Sequence, residues 1–448
     1  MSLAATIRIL GLVLAGLLAR TAWAQPATAS ASRAAVPQTT APVSLPPMNL
    51  EQVVGAVLRA DPQIRSGLEN VALARSNLTL AGTRPNPVLS SSKVLMPLGR
   101  GFTPDHQGGP PELDVFVSWP IDQELFGKRR AAMRAASLEV DVSTAEQADL
   151  VRRRLTEATD AFYDALEAQA LHAYAKADVE QMRVLVDRYR ARAHDNDSAL
   201  EYDRAQLELT QAQREVIHRA SAQVTSRSKL RALMGRTDAT EQFELIGSLE
   251  VASPSKPMAL DAAIRMADQR RPDLIAQRRR VERAKADLAR ERSFRYPAVI
   301  PRAGYQKQYQ QSLGMADVSA YGVGVDVSLP LFDRNQAGIE RARAALRQLT
   351  HDLEARILAA RAEDEQAARD YQEAYALLTE LDAKQVDRAR SVRDRMWTEH
   401  GKGKKSLLDV LDAERAFRDA RQQYISGRAG YWRSTYRLRA ALGAQGER

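Results

Sequence analysis

The 448-residue chain contains no cysteine, so a disulfide-stapled fold, a thiolate metal site and a thiol nucleophile are excluded. Glycine (23) and proline (19) are sparse and aromatic residues make up only 6%, while Ala, Arg, Leu, Glu and Gln dominate. This is the composition of long helices, and it argues against widespread disorder. Blocks of one charge sign are also missing. Lys and Arg number 65 against 56 Asp and Glu, and the resulting +9 is interspersed along helical stretches. Interspersed charge reads as a solvated helix face, not as a nucleic-acid surface. No segment offers 18 uninterrupted apolar residues, so no transmembrane helix is expected in the mature chain, which is either soluble outside the cytoplasm or inserted as strands.

Catalytic signatures are absent too. There is no H-E-x-x-H, no calcium loop and no G-x-S-x-G. Gly401-Lys402-Gly403-Lys404-Lys405-Ser406 lacks the phosphate-loop spacing, and no strand precedes it. The histidines His106, His172, His194, His218, His351 and His400 have no i, i+4 partner, so neither a metal site nor any other cofactor is expected. His194 and His400 fall near helix ends, where passing ions could touch them, but plain exposure is the favoured reading. No constellation supports an enzyme.

What is present begins with an apolar stretch, Ile9 to Leu18, behind Arg8 and ahead of Ala22-Trp23-Ala24. This pattern predicts a secretory signal peptide over 1–24, too short to span a bilayer. Residues 25–47 are rich in Pro, Ala, Ser and Thr and read as an extended linker.

An internal duplication organises the rest. A shift of 210 residues lays Leu50 on Leu260, Asp61-Pro62-Gln63-Ile64 on Arg271-Pro272-Asp273-Leu274, Pro87 on Pro297 and Pro120 on Pro330. A shift of 208 then lays Tyr163 on Tyr371, Ser198 on Ser406 and Gly235 on Gly443. The expected repeats are 48–246 and 259–443, joined by a linker over 247–258 and followed by a tail over 444–448. Each reads as a helix broken at its proline, two strands, and a long helical hairpin. Strands are expected near 86–97 and 112–121, and again near 297–310 and 319–331. Leu113, Val115, Val117 and Trp119, and in the second copy Val323, Val325, Val327 and Leu329, alternate with more polar neighbours. Such alternation fits a barrel strand in an outer membrane, with Trp119 and Tyr321 as interfacial aromatics at strand ends. A small sheet packed on the helices is the soluble alternative. Four strands cannot close a membrane barrel, so several copies would have to share one.

Proline is missing from 128–192 and 337–399, stretches that would each span roughly 90–100 Å as continuous helix. In the last helix Val410, Ala413, Phe417, Ala420, Tyr424, Gly427, Tyr431, Ser434, Leu438 and Ala441 form an unbroken seam. The first-copy seam, Tyr202, Ala205, Leu209, Ala212 and Val216, then Ser226, Leu230 and Leu233, is interrupted at Arg219 and Gln223. The hairpins are expected to turn near 193–199 and 400–407, where Ser198 with Glu201 and Ser406 with Asp409 form equivalent capping boxes. Asp409 and Asp412 lie on one helix face at i and i+3. They read either as residues of the helix start or, multiplied by symmetry, as a ring of carboxylates around an opening.

The duplication, the entries at Pro87 and Pro297, the stretch Ser328 to Asp333, the turn from Gly403 to Asp412 and the terminal Ala-Leu-Gly together resemble the TolC-type outer-membrane efflux ducts. Phe126-Gly127-Lys128-Arg129-Arg130 and Leu331 to Gln336 are similar to the CzcC-like heavy-metal branch. The resemblance implies a mainly α fold with a small β part, in which a homotrimer forms a 12-stranded outer-membrane barrel and a periplasmic α-helical tube. It implies a passive conduit for cargo such as divalent heavy-metal ions, working with a periplasmic adaptor and an inner-membrane pump of the RND type. Outer-membrane lipid would surround the barrel, and no nucleic acid is involved. The family's entrance aspartates match Asp409 and Asp412; the adaptor would meet the tips at Asn196, Ser198, Glu201, Lys404, Lys405 and Ser406. A periplasmic coiled-coil scaffold, and a duct for organic drugs or secretion substrates, are the alternatives.

Overall fold

The computed structural model describes residues 46–94, 99, 103, 105, 110–191, 196–238, 243–251, 253–311 and 314–443, except for the side chains of 196–198 and 380–383. The expected signal peptide, all but the end of the linker, the turn at 193–195 and the tail over 444–448 lie outside the described residues.

Two helices, α1 (Leu50–Ala60) and α2 (Pro62–Gly82), lead into strands β1 (Val88–Val94) and β2 (Glu112–Ser118). A short α3 (Asp122–Leu125) precedes α4 (Lys128–Arg190), a single helix of 63 residues, which is followed by α5 (Asn196–Leu233). The same series recurs as α6 (Leu260–Arg270), α7 (Pro272–Ser293), β3 (Val299–Gln308) and β4 (Val318–Val327). It continues with α8 (Gln336–Ala376), a π-helical segment (Leu377–Asp382), α9 (Ala383–Gly401) and α10 (Leu407–Ala441). The counterpart of α4 is thus interrupted by a π segment, a break that needs no proline.

The breaks between α1 and α2 and between α6 and α7 have one cause. Pro62 and Pro272 each stand at the first helical position, and the preceding Asp61 and Arg271 are held extended, at ψ 120° in both. Asp61 caps α2 by accepting the Gln63 and Ile64 backbone N–H groups at 2.7 and 3.2 Å. Arg271 cannot cap; its helix carries Asp273 in the first turn instead.

These two positions also form the anchor of each repeat, with the charges exchanged. Asp61 is fully buried and accepts from Arg154 on α4 at 2.6 Å, 93 residues onward. Arg271 is fully buried and donates to Asp364 on α8 at 2.6 Å, again 93 residues onward. The second anchor is larger, because Arg271 also meets Asp273 and Glu363, and Arg356 joins both of those carboxylates.

The strands form one antiparallel sheet in the order β1-β2-β3-β4, leaving an outer edge on β1 and on β4. The register places Leu89, Val117, Ala303 and Val323 in one row, and Val115, Tyr305 and Tyr321 in the next. The opposite face carries Ser90, Ser92, Asp114, Glu112, Arg302, Gln306, Gln308 and Asp326. The apolar core lies in the helices. Around the helical breaks Val53, Val57 and Ile64 pack on Ala158, Phe162, Leu166, Leu230 and Leu233. The α10 seam is buried at Val410, Ala413, Phe417, Ala420, Tyr431, Ser434 and Ala441. In the first copy the interruption is filled by polar pairs, Arg219 donating to Gln422 at 3.2 Å and Gln223 bonded to His172 at 2.6 Å.

Candidate functional site

The α9–α10 tip is a tight turn through Gly401 to Ser406, in which Gly403 takes the left-handed conformation at φ 72°. Lys402 and Lys404 both reach back to Glu399, at 2.9 and 3.8 Å. Ser406 opens α10 with a complete capping box. Its hydroxyl accepts the Asp409 backbone N–H at 3.2 Å, and the Asp409 carboxylate accepts the Ser406 N–H at 3.0 Å. These bonds from Ser406 hold the Asp409 carboxyl below the usual carboxylate range.

Asp412, one turn further, is exposed and accepts from Arg415 Nη1 at 3.3 Å. Arg415 in turn donates to Glu208 of α5, which is almost wholly buried. Arg418 continues the chain of charges, with its Nε 3.1 Å from Asp178 of α4. Burial pushes the Asp178 carboxyl up, and Arg418 opposes the shift. Asp412, Arg415, Glu208, Arg418 and Asp178 thus tie the start of α10 to both helices of the other hairpin. Leu407 and Leu411 reinforce the junction by packing with Leu185, Val186, Tyr189 and Ala205.

The end of α4 and the beginning of α5 therefore lie beside the α9–α10 turn. Glu201 is half-buried in the second turn of α5; because that helix already begins at Asn196, Ser198 lies inside it and is not its N-cap as expected, while the side chains of Asn196 and Ser198 lie outside the described residues. Lys405 contributes its carbonyl, which accepts from His400 Nδ1 at 2.7 Å. The other ring nitrogen of His400 is bonded to the Tyr189 hydroxyl. His400 is a structural bridge between α9 and α4, and His194 lies outside the described residues. Among the described residues no group of three or more His, Asp or Glu could hold a metal ion. The charged chain behind Asp412 escaped sequence reasoning; its one legible signal is the i, i+3 spacing of Asp412, Arg415 and Arg418.

At the other end the sheet turns its apolar face outward. Val323 and Tyr321 are 88% and 92% exposed, and Leu89, Val117, Val325 and Val327 are exposed beside them. This is not the sheet packed on helices of the soluble alternative. The polar face is internally bonded, Gln306 donating to Asp114 at 3.1 Å. Arg302 lies over the Phe116 ring at 5.6 Å, and that ring also covers Gly304 and Gly322; a Cβ at Gly304 would run into the Val115 carbonyl as well as the ring, and one at Gly322 would press on the ring at 3.0 Å. Trp119 sits just beyond β2 at the end joined to the helices, its Nε1 donating to the Pro85 carbonyl at 2.9 Å. Tyr321 is not at a strand end, as expected, but is the fourth residue of β4, edge-on to Tyr305 at 6.4 Å near the opposite rim.

Comparison with solved structures decides the fold. The chain superposes on the outer-membrane channel OprN with a TM-score of 0.71 at 20% identity, covering 88% of this chain and 90% of that one. The fold is that of a TolC-type outer-membrane efflux channel. CusC, described as a transmembrane channel, gives 0.71 at 17% identity over 88% and 92% of the two chains. The MtrE outer-membrane channel of Neisseria gonorrhoeae, in its open state, gives 0.71 at 16% over 88% of each. Residues 263–444, nearly all of the second repeat, match the outer membrane efflux protein family. The chain is also similar to the cobalt-zinc-cadmium resistance protein CzcC of Cupriavidus metallidurans, at 27% identity over 321 residues, 68% of this chain and 71% of that relative.

Proposed function

We propose that the protein is the outer-membrane duct of a tripartite efflux system, a homotrimer that passes its cargo without a catalytic step. The observation that carries this is the sheet. It exposes an apolar face, has an outer edge at β1 and at β4, and contains too few strands to close alone. Three copies joined edge to edge supply 12 strands, with Val325 and its neighbours toward lipid and Asp114, Gln306 and Asp326 toward water. The likeness to the cobalt-zinc-cadmium resistance protein supports divalent metal ions as cargo, delivered by an inner-membrane pump of the RND type through a periplasmic adaptor. Asp409 and Asp412 of each copy stand at the entrance, and the tips around Asn196, Ser198, Glu201, Lys404, Lys405 and Ser406 receive the adaptor.

The test is a pair of substitutions on opposite faces. Val325→Arg should cost roughly 2–4 kcal/mol at mid-membrane depth and abolish most detergent-resistant trimer in the outer-membrane fraction, whereas Asp326→Asn should leave the yield near wild type. Equal tolerance at both positions would remove the barrel.

A further inference from the structure

Where the sheet joins the helices, a cavity of about 720 Å³ opens between the start of α4, the end of α7 and the β4–α8 connection. Phe126 and Tyr296, stacked at 5.2 Å and 7°, contribute to its wall, and Arg292, Arg295 and Arg334 line it with Pro330. Tyr296 stands three residues before β3 and Pro330 three residues after β4, so the cavity lies at the level where the apolar band of the sheet ends.

The three arginines form no ion pair among the described residues; Arg334 Nε donates only to the Pro330 carbonyl, at 3.2 Å. The neighbouring carboxylates are engaged elsewhere. Glu291 accepts from Asn335 and pairs with Arg290, and Asp333 accepts the Asn335 backbone N–H at 2.8 Å. Beside this cationic cavity runs Leu329-Pro330-Leu331-Phe332, in which Leu329, Leu331 and Phe332 are exposed, Phe332 to 92%. Three uncompensated guanidiniums next to an exposed apolar run ask for an anion that carries its own hydrocarbon.

We propose that this cavity binds the headgroup of an anionic phospholipid, its phosphate held by Arg292, Arg295 and Arg334 and its acyl chains laid along Leu329, Leu331 and Phe332. Guanidinium groups match phosphate oxygens in bidentate geometry. A zwitterionic headgroup would bring an ammonium into the same cationic field, so phosphatidylglycerol is selected over phosphatidylethanolamine. A free phosphate would leave the apolar run uncovered, which is why the lipid is the committed source. The proposal rests on the outer-membrane reading above, because only at a bilayer does this level meet headgroups.

The trimer, extracted from the outer-membrane fraction, is exposed to equal amounts of phosphatidylglycerol and phosphatidylethanolamine of matched chains, and retained lipid is counted by native mass spectrometry. Wild type should retain phosphatidylglycerol preferentially. An uncompensated arginine near an anionic headgroup contributes about fivefold in affinity, so Arg334→Gln should lower the preference about fivefold and the triple Gln variant on the order of a hundredfold. Should the triple variant not assemble, Arg334→Gln carries the test alone. Equal retention of both lipids by wild type, or an unchanged preference in Arg334→Gln, would overturn the site. Heat protection of the trimer by inorganic phosphate equal to that by phosphatidylglycerol would overturn the lipid as its occupant. Failure of the outer-membrane reading shows separately, as a chain absent from that fraction or a tolerated Val325→Arg.

Discussion

The exchange of charge between the two anchors makes a quantitative prediction. Asp61→Arg sets a second guanidinium against Arg154, whose side chain is only 14% exposed, in a place where the aspartate is fully buried. Breaking a buried pair costs about 3–5 kcal/mol and losing a helix cap about 1, so the variant should lose roughly 4–6 kcal/mol. The second repeat shows how the opposite arrangement is accommodated, with arginine before the proline, aspartate two residues on and aspartate 93 residues on. Writing that arrangement into the first repeat as Asp61→Arg, Gln63→Asp and Arg154→Asp should recover most of the pairing and leave a deficit of about 1 kcal/mol from the missing cap. A membrane trimer of the kind proposed would unfold irreversibly, so the variants are to be compared at one scan rate, by loss of detergent-resistant trimer and of helical circular dichroism. If the triple variant is no more stable than Asp61→Arg, or if Asp61→Arg costs less than about 1 kcal/mol, the pair is not the anchor that the burial implies. The exchange also opposes mispairing. Docking α2 on α8 would set Asp61 against Asp364, and docking α7 on α4 would set Arg271 against Arg154.

Burial pushes Asp364, Asp178 and Asp160 above the usual carboxylate range, whereas buried Asp273 and the more exposed Glu363 are held below it by Arg271 and Arg356. The raised groups bind protons more tightly in the folded state, so stability should rise as pH falls from neutrality into the range just above the ordinary carboxylate values. It should then fall below about 4, where the unfolded chain takes up protons that Asp273 and Glu363, held low in the fold, do not yet bind, and Asp364→Asn should flatten the acid-side rise; a monotonic loss from pH 7 downward would contradict this. Photo-crosslinkers at Leu200 and Lys404 should capture a periplasmic adaptor while one at Phe126 does not, and the reverse pattern would invert the tube. Asp409→Asn with Asp412→Asn should keep the trimer but lower its cation selectivity and its block by multivalent cations from the periplasmic side in planar bilayers, whereas Arg415→Gln, which frees Asp412 and Glu208, should raise the selectivity. Unchanged selectivity in the double Asn variant would leave the aspartates as helix-start residues only.

The sequence made the periodic features legible because each follows from local chemistry. Proline at the first helical position marks both breaks, alternation in β2 and β4 marks the exposed face, and the small-residue seam marks the buried side of α10. Features that depend on partners distant in the chain were hidden. Nothing near Asp61 identifies Arg154, and the charge exchange is visible only once both pairs are placed. The arginine-lined cavity draws on three separate segments, and the π segment over Leu377–Asp382 has no proline or glycine to announce it. Of the proposed entrance, the aspartates and the Ser406 cap were readable; the charges behind them were not.

Those hidden charges bear on how an entrance of this kind could open. Asp409 is committed to the Ser406 N–H and hydroxyl, and Asp412 to Arg415, so neither carboxylate stands free within one protomer. Mutual repulsion among six carboxylates in a trimer is therefore already moderated by hydrogen bonds and one guanidinium per copy. The same Arg415 holds buried Glu208, and Arg418, 3.9 Å from the second Glu208 oxygen, also belongs to α10, so moving α10 away from α5 would strip Glu208 of both guanidiniums. Abandoning a buried carboxylate costs several kcal/mol, which is enough to keep the start of α10 in place unless a docked partner supplies a replacement charge or bond. The lysines and carbonyls of the tip, which are exposed next to this junction, are where such a replacement could be made.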